Sequence, residues 1–218
     1  MIKEFEKRII STIILIPLSF FFIIKGSFLF NFFLIVCFIA TAFEWHMMTK
    51  KKNYYFLGYI FLIFSFYCVY SLRNNFYEQS LIFFLITILI CISTDIGGYI
   101  FGKIFKGPKL TKISPKKTYS GMVGGYFFSI IIIISFLDYY YLVSDNSIAY
   151  TSKILIIILL ISTISQIGDI IISYFKRLSK VKDTGKLIPG HGGILDRIDG
   201  MIFAFPFSYF LFSFNIIQ

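Results

Sequence analysis

Charged residues are scarce in this 218-residue chain: Asp, Glu, Lys and Arg make up 15% of it, whereas 57% is hydrophobic. A soluble domain of this length could not bury so much apolar surface, so a soluble globular fold is excluded. The same hydrophobicity excludes a disordered chain. Cysteine is also rare. Cys37, Cys68 and Cys91 lie within apolar runs and lack CxxC spacing, which argues against a disulfide scaffold or a zinc site.

Acidic residues are the scarcer of the charged residues, with 11 Asp and Glu against 21 Lys and Arg and a formal net charge of +10. In a membrane protein, such an excess of positive charge indicates binding to anionic lipid, to an anionic substrate or to both.

Several common catalytic motifs are missing. The sequence contains no GxxxxGK[ST] and no GxSxG, and its two histidines, His46 and His191, cannot form HExxH. A hydrolase built on a serine, His191 and Asp196 is disfavoured, because nothing marks the serine.

Long apolar runs dominate the chain. A bilayer-spanning helix needs about 20 largely apolar residues, and lipid admits only helices or closed barrels. Since the runs lack the alternation of barrel strands, we predict an all-α, polytopic integral membrane protein with about seven transmembrane helices. The predicted spans are 9–24, 27–44, 54–72, 80–102, 120–142, 151–175 and 200–217. The first two are separated only by Lys25 and Gly26, so they form either a tight hairpin or a shallow pair.

The basic residues predict the orientation, since cytoplasmic loops carry the positive excess. With the N-terminus cytoplasmic, 18 Lys and Arg fall in inside segments and only Lys25, Arg73 and Lys153 fall outside. We therefore predict a cytoplasmic N-terminus and an external C-terminus. A bacterial inner membrane is the expected location of this multi-pass protein, because the chain is short and has no evident targeting segment.

The chain shows no internal repeat or low-complexity linker, so residues 1–218 are predicted to form a single transmembrane domain. Its catalytic half is expected over residues 80–217. That half contains two lysine-rich cytoplasmic loops, 103–119 and 176–199.

Two aspartates lie within the apolar runs, where a carboxylate is costly and marks a functional site by default. Asp169 belongs to a polar stripe, at steps of three or four, that also contains Ser173 and Lys176. Asp95 belongs to a similar stripe in the fourth run. At 1.5 Å per residue, both aspartates are predicted about 10–12 Å from the cytoplasmic ends of their helices. Glu44, near another cytoplasmic helix end, is instead predicted to be an interfacial anchor.

The first basic loop, GKIFKGPKLTKISPKKT, carries six lysines and no acid. Its first four lysines are predicted to act only as topology determinants. Lys116 and Lys117 differ, because SPKKT leads directly to Gly121, Gly124 and Gly125. Small residues there would permit close approach of a helix or a ligand.

The second basic loop, SYFKRLSKVKDTGKLIPGHGGILDRIDG, combines cations with carboxylates. Asp196 and Asp199 are three residues apart, so in a helix they would share one face. Mg²⁺ is usually held by one or two carboxylates plus substrate phosphates, and the nearby cations would face the remaining phosphate charge. These residues predict an anionic, polyphosphate-type substrate that meets a divalent metal at the cytoplasmic face.

Residues 173–199, SYFKRLSKVKDTGKLIPGHGGILDRID, closely resemble the signature of phosphatidate cytidylyltransferases, S-x-x-K-R-x4-K-D-x-G-x2-I-P-G-H-G-G-x-x-D-R-x-D. The segments TDIGGYIFGK, ISPKKT and QIGD also resemble that family, so the resemblance covers about residues 87–217. It implies an enzyme that converts CTP and phosphatidate to CDP-diacylglycerol and pyrophosphate. It also implies Mg²⁺, with K⁺ as a second cation, in a homodimer. Where family members usually carry a glutamate, this chain has Ser120.

The resemblance and the residue pattern together predict the site residues. The predicted metal ligands are Asp95, Asp169, Asp196 and Asp199, with Asp169 and Asp196 on the same catalytic metal ion. The predicted catalytic residues are Lys176, Arg177, Lys182, Asp183, His191 and Arg197. The predicted substrate-binding residues are Ser114, Lys116, Lys117 and Ser173. Two roles stay open: His191 either orients its loop or donates to a phosphate, and Asp183 either takes part in the site or pairs with a lysine.

The expected partners are CTP, phosphatidate and membrane lipid, with no nucleic-acid polymer. Two other functions fit parts of the sequence. A transporter or scramblase would use buried Asp95 and Asp169 to relay protons or bind a cation, but the chain lacks an inverted repeat and such a function leaves the second loop unexplained. A non-catalytic lipid-binding partner of another enzyme would bind phosphatidate without turnover.

Overall fold

The computed structural model describes residues 2–75, 80–143 and 152–214. Helices account for most of these residues, and no β-strand occurs among them. The described helices are α1 (Ile2–Lys25), α2 (Ser27–Thr49), α3 (Tyr55–Asn74), α4 (Ser80–Phe105), α5 (Tyr119–Val143), α6 (Ser152–Leu178), α7 (Leu195–Ile198) and α8 (Met201–Ser213). The predicted all-α fold is confirmed.

Six of the described helices, α1 to α6, are long and apolar enough to cross a bilayer. The chain is therefore a multi-pass membrane protein. The predicted seventh span, 200–217, corresponds to α8, an apolar helix of only 13 residues. That helix is about 20 Å long, shorter than the hydrocarbon layer of about 30 Å. Residues 215–217 of the predicted span lie outside the described residues.

Several helices extend beyond the apolar runs from which they were predicted. α2 continues five residues past the predicted end at residue 44, and α6 continues three past residue 175. Hydropathy marks only the part of a helix that suits lipid, whereas the backbone hydrogen bonds continue into polar sequence. Gly26 alone separates α1 from α2, and its φ of 63° explains why a glycine stands there.

The described helices form two compact units. The first comprises residues up to Leu81 together with Phe175–Asp199. Within it, the buried Trp45 ring of α2 packs edge-on against Phe175, with ring centroids 5.4 Å apart. Gly58 of α3 lies so close that a Cβ there would be 2.0 Å from the Trp45 ring. This packing fixes the point at which the second basic loop begins.

The second unit comprises Ile82–Tyr174 and the residues from Gly200 onward. Its core combines apolar side chains of α4, α5, α6 and α8, namely Ile90, Cys91, Ile133, Leu137, Ile157, Ile158, Ile161, Ala204 and Leu211.

Helices α4 and α5 approach each other through glycines. A Cβ at Gly97 would lie 2.6 Å from the carbonyl oxygen of Gly124, and one at Gly121 would lie 2.7 Å from that of Gly98. Since lipid gives helices no hydrophobic reason to associate, such close van der Waals packing is a main source of their affinity. The predicted close approach at the glycines after SPKKT is confirmed.

Candidate active site

The second basic loop brings two carboxylates to one lysine in the first unit. Lys176, in the last turn of α6, is 8% exposed. Its ammonium donates to Asp196 Oδ1 at 3.0 Å and lies 3.7 Å from Asp199 Oδ2. The i and i+3 spacing predicted that these carboxylates would face one side, and both do contact the same cation. We call Lys176, Asp196 and Asp199 the Lys176 cluster.

The second carboxylate oxygen of Asp196 is held by the backbone. Asp196 Oδ2 accepts the N–H of Thr184 at 2.8 Å and that of Gly193 at 3.0 Å. Burial by itself raises the pKa of the Asp196 carboxyl, but the donors from Gly193, Lys176 and Thr184 together lower it. Asp196 is thus an ionised carboxylate with a fixed orientation.

A tight turn shapes the loop between these contacts. Gly190 and Gly192 have φ values of 77° and 89°, which other residues rarely adopt. The turn is closed by hydrogen bonds from His191 N to Ile188 O at 3.0 Å and from Ile188 N to Gly192 O at 2.9 Å. The PGHGG segment, residues 189–193, therefore forms a turn that returns the chain toward Asp196.

His191 is attached to α1 through Ser11. Ser11 Oγ lies 2.8 Å from His191 Nδ1 and 3.2 Å from the Pro189 carbonyl oxygen, so one hydroxyl can accept from the ring and donate to the backbone. Arg197 donates to the His191 carbonyl oxygen at 2.7 Å. These contacts agree with the loop-orienting alternative for His191, and they leave the phosphate-donor alternative a prediction.

The imidazole of His191 is disfavoured in its charged form. Burial lowers its pKa first, and the positive charges of Arg197 and Arg8 lower it further, against a smaller opposing effect of the hydrogen bond at Pro189. Neutral His191 suits its contact with the Ser11 hydroxyl, whichever tautomer it adopts.

The buried residue Glu44 was misjudged from the sequence. It is 2% exposed, so the predicted role of interfacial anchor is wrong. Its carboxylate accepts the Thr184 hydroxyl at 3.0 Å and the N–H groups of Ile194 at 2.9 Å and Leu195 at 2.8 Å. Asp95 and Asp169 were singled out because a carboxylate within an apolar span marks a functional site. The same criterion did not select Glu44, because the predicted span ended at residue 44, whereas α2 continues to Thr49.

A second charged cluster lies within the second unit. Asp169 Oδ2 of α6 is 2.5 Å from the Lys117 ammonium, and the Ser173 hydroxyl donates to Asp169 Oδ1 at 3.2 Å. Lys117 also donates to the Gln166 carbonyl oxygen at 3.5 Å. We call Asp169, Lys117 and Ser173 the Asp169 cluster. It joins the intramembrane carboxylate predicted from the stripe to the SPKKT segment.

The SPKKT segment is itself a closed turn. Lys117 N donates to Ser114 O at 3.0 Å and Leu110 N donates to Lys117 O at 2.8 Å. The Ser120 hydroxyl donates to the Lys106 carbonyl oxygen. The backbone of the first loop therefore fixes Lys117, while Lys116 is exposed.

The other predicted site residues are exposed side chains. Arg177 donates to the Val181 carbonyl oxygen at 3.2 Å. Lys182, the residue after Val181, is exposed. Asp183 is exposed and forms no ion pair in the described part of the chain, so its predicted alternative of pairing with a lysine is not observed. Asp95 is exposed on α4.

A divalent metal ion needs several oxygen ligands close together. In residues 2–75, 80–143 and 152–214, no three His, Cys, Asp or Glu side chains lie close enough together to hold a metal ion. Asp196 and Asp199 nevertheless converge on one positive charge. Two carboxylates fit Mg²⁺, which usually completes its coordination with water and substrate phosphates.

Comparison with known proteins identifies the family of this chain. A model of the cytidylyltransferase family matches residues 54–215. The phosphatidate cytidylyltransferase of Rickettsia typhi is 35% identical over 205 residues, which cover 91% of this chain and 88% of that protein. That of Bacillus subtilis is 39% identical over 141 residues, which cover 64% of this chain and 51% of that protein. That of Staphylococcus aureus is 42% identical over 135 residues, which cover 60% of this chain and 50% of that protein. The chain therefore belongs to the cytidylyltransferase family. Within that family, it is similar to phosphatidate cytidylyltransferases.

Proposed function

We propose that the protein transfers the cytidylyl group of CTP to phosphatidate, forming CDP-diacylglycerol and pyrophosphate. Membership of the family supports the reaction. The relative from Rickettsia typhi, which matches 91% of this chain, is a phosphatidate cytidylyltransferase. The observation that carries the proposal is the folding of the signature loop around Lys176, which aligns Asp196 and Asp199.

The proposed reaction needs little help to generate its nucleophile. A phosphomonoester has a second pKa of about 6, so phosphatidate is mostly dianionic near neutral pH. One of its phosphate oxygens attacks the α-phosphorus of CTP, the bond between the α-phosphorus and the bridging oxygen breaks, and pyrophosphate leaves with the electron pair. Repulsion between the two anions opposes this attack, so the protein must mainly neutralise charge and position the reactants.

The exposed cations of the second loop are suited to bind phosphate. Arg177 and Arg197 each use one guanidinium nitrogen on a backbone carbonyl, which steadies the side chain and leaves further N–H groups for a substrate. Lys182 is also exposed, in the same loop. We assign a different role to Lys176, because it is buried and already bonded to carboxylates: it holds Asp196 and Asp199 in position.

Mg²⁺ is the metal that the carboxylates of the Lys176 cluster fit best. Asp196 and Asp199 would hold it, and when bound it would offset the charge of the CTP phosphates and help to orient them. The assignments of Asp169 and Asp95 as ligands, the sharing of one ion by Asp169 and Asp196, and a second cation such as K⁺ are part of this proposal.

The setting of the enzyme is also proposed. We place it in a bacterial inner membrane as a homodimer with a cytoplasmic N-terminus, so that CTP reaches the basic loops from the cytosol while the acyl chains stay in the bilayer. The 18-to-3 division of Lys and Arg supports this orientation.

The direct test is pyrophosphate release by purified protein. It should require CTP, phosphatidate and Mg²⁺ together, and should fail with diacylglycerol, which lacks the attacking phosphate, or with chelator. Pyrophosphate release without phosphatidate, or phosphatidate binding without turnover, would contradict the proposal.

A further inference from the structure

We infer that Glu44 is a positioning residue, which holds the loop that orients Asp196 and thereby controls how well the site binds its metal. The inference rests on the proposed function, since it gives Asp196 the role of metal ligand. It adds Glu44 of α2, which lies 129 positions before the first residue of the signature, to a site whose residues predicted from the sequence all lie between Asp95 and Asp199.

Glu44 is a buried carboxylate held only by uncharged donors. Both of its oxygens accept hydrogen bonds, Oε1 from Ile194 N and Oε2 from Leu195 N and the Thr184 hydroxyl. No Lys or Arg pairs with it in the described part of the chain. A buried carboxylate needs hydrogen-bond donors, and here the N–H groups of Ile194 and Leu195 and the Thr184 hydroxyl supply them.

Glu44 and Asp196 share the same short pieces of backbone. Thr184 donates its hydroxyl to Glu44 and its N–H to Asp196. Of three successive N–H groups, that of Gly193 goes to Asp196, whereas those of Ile194 and Leu195 go to Glu44. Removing the Glu44 acceptors would release both ends of the loop that supplies the two backbone donors of Asp196.

The loop closes tightly on the Glu44 side chain. A Cβ at Gly185 would lie 2.7 Å from Glu44 Oε1, and one at Gly193 would lie 2.4 Å from Oε2. Larger residues would therefore displace either the loop or the carboxylate. These contacts explain two of the four glycines of the signature, because neither Gly185 nor Gly193 has a positive φ, and a Cβ at Gly193 would also lie 2.3 Å from Thr184 Oγ1.

The alternative is that Glu44 only stabilises the fold. Both roles predict a lower melting temperature in Glu44→Gln. The substitution keeps the size of the side chain, but its amide NH₂ group would face donors that now bond to a carboxylate oxygen. Only a positioning role predicts weaker metal binding by protein that is folded. The supporting residues behind metal ligands typically affect metal affinity by about 10- to 100-fold when mutated.

The test measures metal affinity in two ways on folded protein. We expect Glu44→Gln to raise the Mg²⁺ concentration for half-maximal activity by about tenfold or more. We expect a similar rise in the Mn²⁺ dissociation constant, measured by electron paramagnetic resonance without nucleotide. Thr184→Val, which removes one hydroxyl donor and keeps the N–H to Asp196, should shift both quantities in the same direction by a smaller factor.

Thr41→Val is the matched control. Thr41 is buried on the same helix, one turn before Glu44, and among the described residues its hydroxyl bonds only to carbonyl groups of α2 itself. Its metal dependence should equal that of the wild type. Unchanged metal affinity in both Glu44→Gln and Thr184→Val, or an equal loss in Thr41→Val, would overturn the inference. Wild-type protein that releases no pyrophosphate would instead contradict the proposed function.

Discussion

In each of the two charged clusters, an aspartate already has a lysine partner. Asp196 bonds to Lys176, and Asp169 bonds to Lys117. A divalent cation that binds either carboxylate must therefore share it with an ammonium group or displace that group. The lysines set the charge of each cluster as much as the aspartates do, and they offer a way to test the clusters one residue at a time.

Replacing Lys176 by methionine should destabilise the protein and make its stability depend on Mg²⁺. The change leaves Asp196 and Asp199 without their cation in a largely buried position, which costs about 3 kcal/mol. A bound divalent cation would restore the missing positive charge. Thermal unfolding in detergent, with and without Mg²⁺, measures both effects.

Lys180→Met is the control for this substitution, because Lys180 is exposed in the same loop. It should melt like the wild type at every Mg²⁺ concentration. If Lys176→Met melts like the wild type, or gains no more stability from Mg²⁺ than the wild type gains, the carboxylates of the Lys176 cluster do not form the proposed metal site.

The shared metal ion of Asp169 and Asp196 is a prediction from the sequence. Either Asp→Asn substitution should leave folded protein and reduce turnover by about 100-fold or more, and the double variant should be hardly worse than one single variant, as for residues that act as a unit. Turnover and melting temperature should be measured on the same preparations. An Asp169→Asn protein that is less stable but still active with Mg²⁺ would show that Asp169 serves only its ion pair with Lys117.

Among the helices, α2 is the one whose predicted end differs from the structure in a way that matters for function. Hydropathy placed a boundary at Glu44 because the apolar run stops there, yet the helix continues to Thr49. The partners of Glu44 are some 140 to 151 positions away, and no local pattern announces them. Local composition predicted the helices well, whereas contacts between distant segments needed the folded chain.

The contact between α4 and α5 allows a comparison of two adjacent glycines. A Cβ at Gly97 would lie 2.5 Å from Phe128 Cβ, whereas one at Gly98 meets only the Gly121 carbonyl oxygen at 3.5 Å. Gly97→Ala should therefore destabilise the protein by about 1–3 kcal/mol through overpacking. Melting temperatures in detergent measure the difference.

Gly98→Ala is expected to melt at or slightly above the wild-type temperature, since alanine favours helix and the contact is an ordinary one. Equal losses of stability at both positions would mean that space between the helices does not decide the packing of α4 on α5.

Composition and charge by themselves predict the class of protein. The all-α fold, the membrane location and the family followed from apolar runs and from the signature loop. The i and i+3 spacing of Asp196 and Asp199 also predicted that their side chains lie on one face of a helix. It could not predict that Lys176 serves them both, because that contact depends on a turn closed by Gly190 and Gly192.

Orientation in the membrane follows from charge alone and can be tested by labelling. In a chain with its three native cysteines replaced, Asn146→Cys should react with an impermeant thiol reagent added outside intact cells, and Lys186→Cys should not. Asn146 lies outside the described residues, while Lys186 is an exposed residue of the second loop. Labelling of Lys186→Cys from outside would reverse the proposed topology.

The most direct test of the proposed chemistry follows the phosphorus atoms of CTP. Purified protein is given phosphatidate, Mg²⁺ and CTP labelled with ³²P at either the α- or the γ-position, and the lipid and water-soluble products are separated. Attack at the α-phosphorus predicts that the α-label enters the lipid as CDP-diacylglycerol and that the γ-label leaves as pyrophosphate. Recovery of the γ-label in lipid, or of neither label in a new product, would contradict the account.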